Sequence, residues 1–172
     1  MSRFTFALTI AFAAAVSAQA PADPVGFPRD YTHFEQVRTM STQGANAQIG
    51  FVRLNGPAAT VTSAEAPKYP YGSVAVMEWW SIAKDEQGKP RRDAGGGLVK
   101  DAVVRLDVMR KERGFGAGYQ DDRSGEWEFA SYAPDGKLLT TAAEGKACAG
   151  CHKKAGETRD FVYVGRFKPA TK

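Results

Sequence analysis

The pentapeptide Cys148-Ala149-Gly150-Cys151-His152 constrains this 172-residue chain more than any other feature. Two thiols three positions apart can add to the two vinyl groups on one edge of a porphyrin. A histidine directly after them is then held beneath the ring with an imidazole nitrogen toward iron. The motif therefore reads as the attachment site of one c-type haem, with Cys148 and Cys151 as the covalent anchors and His152 as the iron ligand. Other chemistries fit less well. A CxxC redox pair belongs to a strand-to-helix turn early in a thioredoxin-like domain, whereas this one lies near the C-terminus. A structural zinc site needs about four ligands, and the chain's only other histidine is His33. A disulfide between the two cysteines leaves His152 without a role.

The position of the motif matters as much as its composition. Small helical cytochromes c carry it near the N-terminus and take an axial methionine from well downstream. Here only 20 residues follow His152, and none is Met or His. A sixth ligand would have to come from His33, Met40, Met77 or Met109, all of which precede the motif. The arrangement argues against an ordinary cytochrome c; a second strong ligand would suit electron transfer, an open position binding or chemistry at the metal. A plain electron-transfer cytochrome c with a sixth protein ligand is the alternative.

The N-terminus supports the haem reading independently. Arg3 is followed by Phe4–Val16, apolar apart from two threonines, and then by the small residues around Ala18 and Ala20. That order is the layout of a secretory signal, with an apolar stretch shorter than the ~20 residues of a membrane span. Residues 1–18 are read as the signal peptide and 19–172 as a single haem domain, exported to the periplasm and free of the membrane after cleavage. Covalent attachment suits that compartment, where a loosely held cofactor could be lost. The mature chain of 154 residues is long enough for one real core, and its formal charge falls from +4 to +3 with the loss of Arg3. Its basic residues are scattered, with no stripe that would mark a nucleic-acid partner.

The sequence before the motif reads mostly as strands. Gln48–Leu54, Ser73–Trp80, Val103–Met109, Glu126–Tyr132 and Asp160–Phe167 are rich in β-branched and aromatic residues, several with period-two alternation. In the third, Val104, Leu106 and Val108 alternate with Arg105 and Asp107. In the fourth, Trp127 and Phe129 alternate with Glu126 and Glu128. Turn chemistry separates them at 84–90, 91–97 and 134–137. Helix is expected in two places: Asp30–Met40, with Asp30 as N-cap and Phe34 and Val37 at helical spacing, and about Thr141–Ala155 around the motif. Residues 19–29 read as an extended lead-in. The fold class is α+β, mainly β: an antiparallel sheet with a few flanking helices and the CxxCH segment near the C-terminus.

In order along the chain, Tyr69-Pro70-Tyr71-Gly72-Ser73-Val74, Met77-Glu78-Trp79, Ala83-Lys84-Asp85, Gly88-Lys89-Pro90, Val108-Met109-Arg110-Lys111-Glu112, Gly125-Glu126-Trp127-Glu128, Pro134-Asp135-Gly136-Lys137, Ala147-Cys148 to His152 and Asp160-Phe161-Val162-Tyr163 resemble the cytochrome P460 family, which includes the cytochromes c′-β. The resemblance implies an antiparallel sheet with flanking helices, often in a homodimer. It also implies a high-spin, five-coordinate haem whose only protein axial ligand is the motif histidine. P460 proteins proper oxidise hydroxylamine and carry an extra bond between a lysine and the porphyrin. Cytochromes c′-β lack that bond and bind nitric oxide or carbon monoxide behind an apolar cap. The partners to expect are thus a small gaseous or nitrogenous ligand and, for the enzymatic branch, a soluble electron-transfer cytochrome.

Which branch applies is left open by the residues. Lys84 is the best-placed cross-link candidate, with Lys100 and Lys111 as alternatives, although a lysine beside a turn is ordinarily just solvated. Glu144, eight residues before His152, is the candidate carboxylate for removing protons from a bound nitrogen substrate. Its plainer role is a charge on the helix surface, and Ala143 could hold the same slot. His33 could ligate iron or relay protons, but suits a half-exposed surface position better. Met77, Trp79, Trp80 and Phe115 are candidate lining for a distal cavity, or simply core. The signal reading makes a direct prediction: the protein recovered from a bacterial periplasm should have the intact mass of a chain beginning at Gln19, and an uncleaved Met1 terminus would contradict it.

Overall fold

The computed structural model describes residues 22–44, 46–62 and 65–163. Its frame is one antiparallel sheet of five strands in sequence order: β1 (Glu35–Ser41), β2 (Gln48–Leu54), β3 (Val74–Ile82), β4 (Lys100–Lys111) and β5 (Trp127–Tyr132). A one-turn helix α1 (Gly56–Ala59) follows β2, capped by the Asn55 side chain on the Ala58 amide. The main helix, α2 (Ala142–Lys153), follows β5 and packs against it and against the kinked 3-10 turns at Ala117–Asp122. The mainly β, α+β class is as the sequence indicates, and no helix among the described residues is long and apolar enough to cross a membrane. The signal segment lies outside the described residues.

Strict alternation gives each strand two faces, and along β2, β3 and β5 and the second half of β4 both carry buried residues. On one face Val74 and Val76 of β3, Leu106 and Val108 of β4, and Ala130 and Tyr132 of β5 form a cluster. The lead-in covers it, with Val25 fully buried and Phe27, Tyr31 and Phe34 packed around it. On the other face Leu54, Ala75, Met109, Trp127 and Phe129 pack with Tyr69, Tyr119, Ala149 and Val162. Ala149 comes from α2. With Gly145 four residues earlier it forms a small-residue face, which lets the helix approach Tyr119 and the Phe129 carbonyl closely.

Three sequence expectations need correction. Asp30–Met40 is not a helix: a 3-10 turn at Tyr31–His33 ends at Phe34, and β1 begins at Glu35. Asp30 makes no side-chain capping bond. Phe34 packs into the first cluster and Val37 against the second, so the pair goes to opposite faces of the sheet, which a single helical stripe cannot do. Pairing of β1 with β2 satisfies the backbone instead. The second correction lies within β4, where a bulge opposite Trp79 and Trp80 resets the alternation. Val103, not Val104, therefore packs into the core, and Val104 is 38% exposed. Third, 160–163 is not strand. A 3-10 turn at Glu157–Arg159 leads into Asp160 (φ 48°) and Phe161 (φ 62°), both left-handed. The remainder of the expected Asp160–Phe167 strand, from 164 on, lies outside the described residues.

One ionic contact braces the first face. Glu78 on β3 is only 3% exposed and accepts from Arg53 Nε at 3.0 Å and from the Tyr31 hydroxyl at 3.3 Å. Removing one partner of a buried pair leaves the other charge uncompensated. Arg53→Met is expected to lower unfolding stability by about 3 kcal/mol in urea titration; a loss below ~1 kcal/mol would place the pair with ordinary exposed ones.

Candidate functional site

Helix α2 starts at a capping box that Thr141-Ala-Ala-Glu144 encodes. The Thr141 side chain accepts from the Glu144 amide, while Glu144 Oε2 accepts from the Thr141 amide at 2.8 Å. The Thr141 amide, and after it the Thr141 hydroxyl donating to the same oxygen at 2.8 Å, hold the Glu144 carboxyl below its ordinary range. From this start the helical period places Glu144, Cys148, Cys151 and His152 at i, i+4, i+7 and i+8, which is one stripe. All four line the same cavity, of about 660 Å³.

The opposite wall is the second sheet face, laid out in cross-strand rows. Leu54, Ala75, Met109 and Phe129 form one row, Val52, Met77, Asp107 and Ser131 the next, and Gly50, Trp79 and Arg105 the third. Gly50 keeps the third row open: a Cβ there would come within 3.0–3.1 Å of Trp79, Met40 and Met77. The lining is mainly apolar, with one polar centre. Asp107 accepts from Trp79 Nε1 at 2.7 Å, Ser131 Oγ at 2.6 Å and Arg105 Nε at 2.9 Å.

His152 is held for a purpose that its hydrogen bond defines. Its Nδ1 lies 2.8 Å from the Phe161 carbonyl oxygen. A carbonyl only accepts, so Nδ1 carries the proton and Nε2 is left as the basic nitrogen, the arrangement found in metal-ligating histidines. Burial lowers the imidazole's proton affinity and favours this neutral form. The ring packs 4.7 Å from Phe129 and 5.5 Å from Tyr163, centroid to centroid, and the Tyr163 hydroxyl donates to the Cys151 carbonyl at 2.8 Å. No disulfide joins Cys148 and Cys151. Burial, with Asp107 adding to it, pushes the Cys148 thiol upward.

The other candidates distribute as follows. Met77, Met109 and Trp79 line the cavity, and Met40 lies close to Met77 across Gly50. Trp80 faces the other side of the sheet, with Lys100 Nζ 4.1 Å above its ring; neither it nor Phe115 is in the lining. His33 is exposed, in a separate groove beside Arg29 and Arg110. Lys84 is exposed where β3 runs into the 84–90 turn, bridged to Pro90. Lys111 is committed to Asp160, 2.6 Å away. Among the described residues, no lysine lines the cavity. The residue that sequence reasoning passed over is Asp107. Its alternation with Leu106 and Val108 was legible, but a polar strand face reads as solvent-facing when the cavity beneath it is unknown.

A cavity within the ~300–1,000 Å³ range of cofactor sites, apolar, with two thiols and a neutral imidazole on one helical stripe, fits an iron porphyrin. The fold and site thus define a haem-binding cytochrome built on an antiparallel sheet. Comparison with protein families agrees: the model of the family described as Cytochrome P460 matches residues 28–164. The chain belongs to the cytochrome P460 family. Comparison with curated proteins finds no match.

Proposed function

We propose that the mature protein is a periplasmic mono-haem c-type cytochrome whose haem is attached through Cys148 and Cys151, ligated by His152, and open on its other axial side to a small nitrogen species. The observation that carries this reading is the single stripe of Cys148, Cys151 and His152 along the cavity, with His152 Nδ1 tied to a carbonyl. When bound, the haem iron supplies the centre at which nitric oxide or hydroxylamine coordinates and through which electrons pass. The chain's part is to hold and shape. His152 offers Nε2 in a fixed orientation, Met77, Val52 and Phe129 exclude water, and Asp107 presents a carboxylate held by three donors.

Ligand binding, as in the cytochromes c′-β, is favoured over hydroxylamine oxidation by the lack of a lining lysine among the described residues. Oxidation would also require a proton acceptor, for which Glu144 and Asp107 both line the cavity, and an outgoing partner such as a soluble cytochrome. A second reading has one observation behind it: Met77 lies on the cavity wall and could close the sixth position for electron transfer.

Optical spectra of protein matured with haem in a bacterial periplasm separate these readings. The ferric form should be high-spin and the ferrous form should bind nitric oxide, with an ordinary c-haem Soret band. His152→Ala should abolish normal axial ligation, and His33→Ala should leave the spectrum unchanged. A low-spin ferric spectrum that becomes high-spin in Met77→Leu would instead establish the electron-transfer reading. A strongly red-shifted ferrous Soret band would indicate a modified macrocycle and return Lys84 to the cross-link role.

A further inference from the structure

We infer that the buried Lys111–Asp160 ion pair is a positioning device for the iron ligand, acting through the Phe161 carbonyl; this rests on the reading that His152 ligates the haem. The starting observation is backbone conformation. Asp160 and Phe161 are consecutive non-glycine residues at positive φ (48° and 62°). An aspartate tolerates this region, whereas a bulky aromatic there is a genuine outlier that persists only when its surroundings over-determine it. The turn they make is what turns the Phe161 carbonyl onto His152 Nδ1.

Four contacts from distant parts of the chain hold that turn. Lys111 Nζ, at the end of β4, donates to Asp160 Oδ2 at 2.6 Å, and the pair's side chains are 12% and 7% exposed. The Tyr69 amide donates to the same oxygen at 2.8 Å. The Trp127 indole, fully buried, donates to the Asp160 carbonyl at 2.9 Å. Gly125 leaves a slot for the Phe161 ring, since a Cβ there would lie 2.8 Å from Phe161 Cε2. A carboxylate desolvated to this degree needs its cation, so the lysine sets where Asp160 sits and thereby where the next carbonyl points.

The consequence is electronic. A hydrogen bond from Nδ1 makes an imidazole a stronger donor to iron, and such outer partners tune the metal. A fixed, short bond to the Phe161 carbonyl strengthens the iron–histidine bond and favours the ferric state. Lys111 is thus a positioning residue: it lies outside the cavity lining and acts through 160–161.

The test uses the haem-loaded full chain and does not depend on activity. In Lys111→Met, haem content should be retained, while the ferrous iron–histidine stretch in resonance Raman moves to lower frequency and the midpoint potential rises. Lys111→Arg should recover most of both. Trp127→Phe, which keeps an aromatic in the core but loses the indole donor, should shift both readouts in the same direction, and it decides the matter if Lys111→Met does not accumulate. An unchanged stretch and potential in a fully loaded variant would overturn the inference while leaving His152 ligation intact. Absence of any iron–histidine stretch from the loaded wild-type protein would instead defeat the ligation reading and this inference with it.

Discussion

The structure depends on a sheet that must be covered on both faces by a chain with little helix to do it. Antiparallel sheets can leave one face to water, but this one presents apolar side chains above and below, and each face needs a lid. The lead-in around Val25 and Phe27 closes one face. On the other, α2 and the turns near Tyr119 cover the β5 side, and α1, Tyr69 and Val162 pack with the Leu54–Ala75–Met109–Phe129 row. The cavity begins where that cover stops, over the Val52–Met77–Asp107–Ser131 row. The site is thus a consequence of how far this cover reaches across a wider sheet.

That geometry explains how one helix can present both thiols and the imidazole to the cavity. Gly145 and Ala149 present the packing side, and Glu144, Cys148, Cys151 and His152 the cavity side. The segment after the helix then folds back so that Phe161 meets His152, and Asp160 is locked to the end of β4. Sheet, helix and C-terminal turn are therefore mechanically joined at His152. A disturbance at Lys111 or Trp127 is transmitted to the imidazole without touching the cavity.

Strand existence was largely legible before the fold was known. β2 to β5 sit where alternation and turn residues indicate, and α2 surrounds the motif as expected. Boundaries failed where tertiary pairing outweighed a local pattern. Phe34 and Val37 looked like one helical face but serve opposite sides of a sheet. Val104 looked like core, but a bulge facing β3 passes that role to Val103. At the site, the clustering of Cys148, Cys151 and His152 was legible because they lie within five residues of one helix. Asp107 was not, because its partners Trp79 and Ser131 are 28 and 24 residues away in sequence.

The sequence by itself determined the Cys-x-x-Cys-His motif, the mainly β character and the helix that carries His152. Each of these rests on interactions within a few residues: thiol spacing, side-chain alternation, and a cap bonding three positions ahead. Only the tertiary structure decided which polar face looks into the cavity, which candidate lysine is bound elsewhere, and how the imidazole is oriented. Those outcomes rest on contacts such as Lys111 with Asp160, 49 residues apart, and Tyr69 with Asp160, 91 apart. No local period encodes such pairs, because they exist only once burial has brought the segments together.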